Sequence, residues 1–198
     1  MSHSAAGKVV ILDRDGTIVR DCGYLSDPDG LEFLPGAANG LRSLHQQGSR
    51  LVVISNQSGV GRGLFPLERL HEMNARLEEM VQMIGARIER IYFCPHRPEE
   101  NCRCRKPQTE LLERAAMELG FDPTQSVVIG DKGSDVEFGR RAGALTLLIG
   151  NRSAPDQLPP VSPDYLVEDL CAAAAMLGEL KSGNLKPGAA SAIRSTGK

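Results

Sequence analysis

Short, uninterrupted apolar runs mark the chain at residues 8–12, 50–55, 88–93, 126–130 and 144–149, and each ends abruptly in polar or charged residues. Runs of this length, rich in Val, Ile and Leu, predict strands buried on both faces, as in a parallel sheet. Between them, apolar residues recur at intervals of three and four. The pattern is plainest over 67–84, with Leu67, Leu70, Met73, Leu77, Met80 and Val81, and it returns over 37–47, 110–119 and 135–142. These segments predict helices. Gly48 and Gly120 stand where left-handed caps end two of them, and Pro66 and Pro107 stand where helices can begin. Tyr165-Leu-Val and the alanine-rich segment from Glu168 predict a last strand and helix. Strand alternating with helix predicts an α/β fold: a Rossmann-like, mostly parallel sheet flanked by helices, with ligands gathering beyond the carboxyl ends of the strands.

The 198 residues, 41% of them hydrophobic, suffice for one well-buried domain. Residues 8–180 are the expected single domain, with a flexible N-terminus at 1–7, a surface loop at 151–163 and a disordered tail at 181–198. The tail, rich in Gly, Ser, Ala, Pro and Lys, has too few apolar groups to offset the entropy of ordering. No internal repeat is visible. With 23 Lys and Arg against 25 Asp and Glu, the formal net charge is −2. That balance gives no general basis for binding nucleic acid or an anionic membrane, so phosphate recognition must be local. No apolar run approaches the roughly 20 residues of a membrane span, and residues 1–7 lack the apolar core of a secretory signal. A cytoplasmic monomer is the expectation.

The strand ends carry the candidate chemistry. The first delivers Asp13-Arg-Asp-Gly-Thr17, which sets two carboxylates side by side, an arrangement suited to Mg²⁺ and equally at home as a solvated acidic turn. The second delivers Ser55-Asn-Gln-Ser-Gly59, where amides and hydroxyls can hold phosphoryl oxygens or merely form a flexible turn. The fourth delivers Gly130-Asp-Lys-Gly-Ser-Asp135. A helix N-cap accounts for Asp135 but leaves Asp131, directly off an apolar strand, unexplained. Arg105-Lys106-Pro107 adds two cations. Four polar sites on successive strand ends are hard to obtain by chance.

Three of the five cysteines crowd into Cys94-Pro-His-Arg-Pro-Glu-Glu-Asn-Cys-Arg-Cys104. Cys94, His96, Cys102 and Cys104 form a Cys₃His set, the closed ligand set of a structural Zn²⁺ site. Reduced surface thiols and a redox switch are the competing readings. Because Cys104 immediately precedes Arg105-Lys106, a metal here would fix the loop that presents both cations. Cys171, in the alanine-rich helix, is expected in the core. His45 and His71 lack a partner ligand nearby, and His3 belongs to the N-terminal segment.

In their order, Asp13-Arg-Asp-Gly-Thr17, Ser55, Lys106 and Gly130-Asp131 through Asp135 resemble the four motifs of the haloacid dehalogenase-like phosphohydrolases, over roughly residues 8–149. The resemblance implies Asp13 as nucleophile, Asp15 as general acid and base, and Ser55 and Lys106 steadying the phosphoryl group. It also implies Mg²⁺ held by Asp13, Asp15 through its carbonyl, and Asp131. No gap between motifs holds a large cap domain. The zinc loop and Gly23-Tyr24 narrow the resemblance to the branch acting on heptose bisphosphates and histidinol phosphate. That branch implies hydrolysis of the 7-phosphate of a heptose 1,7-bisphosphate, in nucleotide-activated heptose synthesis for lipopolysaccharide or another surface glycan. Arg105 would join the catalytic set by recognising the sugar side or the second phosphate. Asp13, Arg14, Asp15, Asp21, Cys22, Gly23, Tyr24, Ser55, Asn56, Gln57, Ser58, Arg105, Lys106 and Lys132 are the implied substrate contacts. Ser55 departs from the Thr common in heptose enzymes but keeps the hydroxyl. Histidinol phosphate is the alternative substrate, and a phosphorylated receiver-like binding module is the alternative of another class.

Overall fold

The computed structural model describes residues 8–150 and 161–182. The expected flexible segment at 1–7, most of the 151–163 loop and the tail from 183 onward lie outside the described residues. The strands are β1 (Val9–Leu12), β2 (Arg50–Asn56), β3 (Ile88–Cys94), β4 (Val127–Gly130), β5 (Leu145–Ile149) and β6 (Tyr165–Val167). Interleaved with them run α1 (Ala37–Gln46), α2 (Ser58–Gly61), α3 (Leu67–Met83), α4 (Glu110–Leu119), α5 (Gly133–Arg141) and α6 (Leu170–Lys181). All six strands form one parallel sheet in the order β3-β2-β1-β4-β5-β6. The chain therefore starts at the centre, works outward to one edge, and returns to build the other half. The switch point lies between β1 and β4, and a crevice opens there beyond the strand ends.

Each strand has to satisfy two cores, which is why the apolar runs are unbroken. In β1, Val10 and Leu12 face the layer of α1, α3 and α6, whereas Val9 and Ile11 face α4 and α5. Leu41 and Leu44 of α1, Met73 and Leu77 of α3, and Leu170 and Leu177 of α6 complete the first core; Leu111, Leu112 and Phe138 complete the second.

Three expectations need correction. Pro107 does not open a helix: its peptide bond with Lys106 is cis, and α4 starts only at Glu110, after Thr109. Cys171 is exposed, because α6 buries Leu170, Ala173, Ala174 and Leu177, a stripe that leaves position 171 on the outer side. Lys181, assigned to the tail by composition, is the last residue of α6, and its ammonium reaches the Gln47 carbonyl at 2.9 Å.

Helices α1 and α6 pack closely because α1 carries Gly40 where they meet. A Cβ at that position would lie 2.4 Å from the main-chain carbonyl of Leu170. Asp169 caps α6, its Oδ1 accepting from the Ala172 N–H at 2.7 Å. Gly40→Ala should therefore destabilise the protein by about 1–3 kcal/mol through overpacking, although alanine is the better helix former by about 1 kcal/mol. A lowered urea midpoint with unchanged m-value is the expected result.

Candidate active site

The carboxyl ends of β1, β2 and β4 bring the motif residues to one cleft, a cavity of about 320 Å³ lined by Asp13, Asp15, Ser55, Arg105, Lys106 and Lys132 among others. Asp13 follows β1 directly, and its N–H donates to the Ile129 carbonyl of β4 at 3.0 Å, so the strand ladder itself aims this side chain. Gly16 then turns the chain with φ +85°, and a Cβ there would lie 2.2 Å from Asp131 Oδ2. Only glycine admits both the left-handed backbone and that close approach.

Lys106 lies at the centre of the cluster. Its ammonium is buried, 2.7 Å from Asp13 Oδ1, 2.6 Å from Asp135 Oδ1 and 2.7 Å from the Ile54 carbonyl. Burial by itself pulls the ammonium pKa down, but the Asp13 and Asp135 carboxylates outweigh it and hold the pKa above its ordinary value. The main chain of Lys106 is clamped too: its N–H donates to Asn56 Oδ1 at 3.0 Å and its carbonyl accepts from Asn56 Nδ2 at 3.2 Å. Asn56 thus ties the end of β2 to the loop that carries Arg105 and Lys106.

The carboxylates of Asp13, Asp131 and Asp135 converge, with one oxygen of each within 4.8 Å of the others. Together with the Lys106 ammonium, three ionised carboxylates leave a net charge of −2. Asp131 Oδ1 is buried with no hydrogen-bond partner among the described residues. Burial, reinforced by Asp13 and Asp135 against the opposing Lys132, pushes the Asp131 pKa up to about 7. An orphaned carboxylate oxygen in an all-oxygen, doubly negative cluster fits a hard divalent cation such as Mg²⁺.

Membership of this cluster differs from the expected metal set. Asp135, weighed above as an N-cap, is the third residue of α5 rather than its cap, and it joins the cluster while accepting from the Lys132 N–H at 3.1 Å. The Asp15 carboxylate is not in the cluster; it turns toward Arg14 and Gln57, so only its carbonyl remains as the expected ligand.

Most of the expected substrate contacts line the cleft: Asp13, Asp15, Asp21, Gly23, Tyr24, Ser55, Asn56, Gln57, Ser58, Arg105, Lys106 and Lys132. Arg14 and Cys22 do not. Successive residues of the turn after β1 point to opposite sides, which sends Arg14 beneath the cleft, 3% exposed, and Cys22 is exposed on the outside. Across the cleft mouth, Lys132 and Asp21 pair at 3.0 Å. Leu25, Gly59, Phe65 and Ser134 also line the cleft and were missed by the motif reading. Gly59 and Ser134 fall within the strand-end segments already marked by the sequence, whereas Leu25 and Phe65 carry no such signal and become wall residues only through the fold.

The second cluster sits beside the first. Cys94 Sγ lies 3.4 Å from Cys102 Sγ and 3.2 Å from Cys104 Sγ, the latter two are 3.5 Å apart, and His96 Nδ1 is 3.2 Å from Cys104 Sγ. These separations are far beyond the roughly 2.0 Å of a disulfide bond. They approach the tetrahedral edge of about 3.7 Å that zinc–sulfur bonds of about 2.3 Å would give. Three thiols and an imidazole converging on one point fit Zn²⁺. The loop is moored to the rest of the site by the Gln57 N–H on the Cys94 carbonyl at 2.7 Å and the Gly61 N–H on the Pro95 carbonyl at 2.9 Å.

A family model described as HAD-hydrolase-like matches residues 103–173. The chain is 38% identical over 135 residues to the probable D-glycero-D-manno-heptose-1,7-bisphosphate 7-phosphatase of Thermoplasma volcanium, covering 68% of this chain and 92% of that one. It is 41% identical over 136 residues to the D-glycero-beta-D-manno-heptose-1,7-bisphosphate 7-phosphatase of Helicobacter pylori strain 26695, covering 68% and 79%. Among solved structures it resembles the D,D-heptose 1,7-bisphosphate phosphatase of B. bronchiseptica, crystallised with magnesium and phosphate. That match has a TM-score of 0.78 at 29% identity, over 87% of this chain and 99% of the other.

The raised Asp131 pKa predicts how stability responds to pH and metal. With a folded pKa of about 7 against an ordinary value of 3.8, the folded metal-free protein binds more protons than the unfolded chain between those values. Its stability should therefore fall as pH rises through that window. Asp131→Asn removes the charge and should raise the metal-free Tm at pH 8 by roughly 3–8 °C, while abolishing the Tm increase that Mg²⁺ gives the parent protein. Differential scanning calorimetry with EDTA and with Mg²⁺ checks both effects.

Proposed function

The chain belongs to the haloacid dehalogenase-like phosphatases, together with relatives named heptose-1,7-bisphosphate 7-phosphatases, and from that premise we propose that it hydrolyses the 7-phosphate of D-glycero-D-manno-heptose 1,7-bisphosphate. The observation that carries this reading is the cluster at the switch point, with Asp13, Asp131 and Asp135 gathered around Lys106 and the Cys₃His loop alongside.

Phosphoryl transfer depends chiefly on positioning and charge neutralisation. Asp13 is the nucleophile: one carboxylate oxygen forms a bond to phosphorus as the bond from phosphorus to the sugar oxygen breaks, leaving an aspartyl phosphate. Asp15 gives its proton to the departing sugar oxygen. It then takes a proton from a water that attacks the aspartyl phosphate, releasing inorganic phosphate and restoring both carboxyl groups. Ser55 donates its hydroxyl hydrogen to a phosphoryl oxygen, and Lys106 is the adjacent positive charge. Asp13, Asp131 and the Asp15 carbonyl would hold Mg²⁺, which supplies neutralisation of the phosphoryl charge. Asp135 stays with Lys106 and the start of α5, holding the lysine in place.

Arg105 lines the cleft at its zinc-loop side, where its planar guanidinium suits the second phosphate of a bisphosphate. Cys94, His96, Cys102 and Cys104 would hold Zn²⁺, which would fix the loop that keeps Arg105 and Lys106 at their working distance, an architectural role. Residues 8–180 act as one phosphatase domain, a monomer working in the cytoplasm. Among the described residues, no helix is long and apolar enough to cross a membrane.

Phosphate release with Mg²⁺ from both anomers of heptose 1,7-bisphosphate and from histidinol phosphate tests the reading. Strong turnover of one heptose anomer, abolished by Asp13→Asn, is expected. Preference for histidinol phosphate would refute the substrate while leaving the chemistry intact, and no turnover of any ester would refute the chemistry. Cys104→Ser should lower bound zinc, measured by elemental analysis, and reduce kcat/KM roughly 10- to 100-fold by letting Lys106 and Arg105 shift.

A further inference from the structure

Residue 74 interrupts an apolar stripe. Helix α3 buries Met73, Leu77, Met80 and Val81 in the core against the sheet and also buries Leu70, and Asn74 is buried beside them, 8% exposed. An amide at such a position costs stability unless it is hydrogen-bonded. Its Oδ1 accepts from Arg14 Nη1 at 3.2 Å, a contact that joins the middle of α3 to the turn after β1.

Arg14 commits the rest of its guanidinium to the active site. Nε lies 3.1 Å from Asp15 Oδ2, and Nη2 lies 3.0 Å from the same oxygen and 2.8 Å from Gln57 Oε1. Gln57 Nε2 in turn donates to Asp15 Oδ2 and to Ser55 Oγ, both at 2.7 Å. With its amide oxygen facing the arginine, Gln57 can only present hydrogens to Asp15 and Ser55. Ser55 therefore accepts, and its own hydrogen remains for the cleft. Among the described residues, Arg14 and Gln57 supply every side-chain donor to the Asp15 carboxylate. A planar fork meets Asp15, Gln57 and Asn74 together in only one orientation.

We propose that Asn74, on a helix that contributes nothing to the cleft wall, is a positioning residue for the reaction: acting through Arg14, it sets the orientation of the Asp15 carboxylate and of the Gln57 amide. Removing its oxygen frees one arm of the guanidinium and leaves a buried N–H without a partner. Asp15 then meets the leaving oxygen less accurately as the proton passes to it. The loss should scale with how much the leaving group needs that proton. A sugar alkoxide cannot leave without one, whereas p-nitrophenolate can.

Because this role rests on Asp15 protonating the leaving oxygen as proposed above, Asp15→Asn is measured alongside. Kinetics of Asn74→Ala, Asn74→Leu, Asn74→Asp and Asp15→Asn are compared on heptose 1,7-bisphosphate and on p-nitrophenyl phosphate. Asn74→Ala and the stripe-filling Asn74→Leu should lose about 10- to 100-fold in kcat/KM on the sugar phosphate, with KM unchanged. On the aryl ester they should lose less than about threefold. Asn74→Asp, which keeps an oxygen facing Arg14, should recover most of the loss. Equal losses in kcat/KM on both esters, no loss in folded variants, or failure of Asn74→Asp to restore activity would overturn the role of Asn74. Equal losses in kcat/KM for Asp15→Asn itself would instead overturn the acid assignment, and the role of Asn74 with it.

Discussion

One buried ammonium holds the site together. Lys106 sits among Asp13, Asp135 and the Ile54 carbonyl at distances of 2.6–2.7 Å, removed from water at the point where the two halves of the sheet diverge. Charges buried like this gain little net free energy as pairs, because the desolvation cost takes back most of the Coulomb attraction. Their value lies in direction. Three carboxylates confined within 4.8 Å repel one another, and Lys106 offsets only part of that repulsion, so the cluster keeps an affinity for further positive charge. Burial, with the repulsion of Asp13 and Asp135 added to it, raises the Asp131 pKa, and the same poorly solvated negative charge makes the site receptive to a divalent cation. The parallel sheet, with apolar side chains on both faces, supplies the stability against which such a cluster can be maintained.

Two devices hold Lys106 at that point, and they come from the neighbouring strands β2 and β3. From β2, Asn56 brackets its main chain with a donor and an acceptor. From β3, the loop of Cys94, His96, Cys102 and Cys104 runs directly into Arg105 and Lys106, and it is moored by the Gln57 and Gly61 N–H groups. A loop of about ten residues with two prolines has little core of its own, and the converging Cys₃His set is of the kind that, with a metal bound, would replace one. Lys106 is thus positioned from a loop outside the sheet, while Asp13 is positioned by the sheet ladder.

A second network, polar but uncharged at its margins, lies under the cleft and aims Asp15. Arg14 bonds Asp15, Gln57 and Asn74 through Nε and both terminal nitrogens, so a buried arginine beside a carboxylate is engaged rather than stranded. The two carboxylates of the Asp13-Arg-Asp15 turn, one residue apart, therefore answer to different partners. Asp13 belongs to the lysine and carboxylate cluster, and Asp15 belongs to the arginine and amide side.

The strands, the longer helices and the strand ends that carry the motifs were readable from the order of residues, whereas the single-turn α2 lies in a segment that read as a glycine-rich loop. Val9–Leu12 and Val127–Gly130 can only be doubly buried strands, and a parallel sheet exposes its carboxyl-end residues in one crevice. The Cys₃His grouping was likewise readable, because its ligands are close along the chain. Other features depended on direction in space. That Arg14 points beneath the cleft while Asp13 and Asp15 line it, that Cys171 faces outward, that Asp135 joins the carboxylates and that Asn74 reaches Arg14 are not properties of any local segment. Periodicity reports which residues are apolar and how they are spaced, and so it determines elements and the ends where polar residues emerge. Which polar side chain meets which other is set by the crossing of elements tens of residues apart, where a change in orientation of a few degrees decides whether a carboxylate finds a lysine, an arginine or a metal.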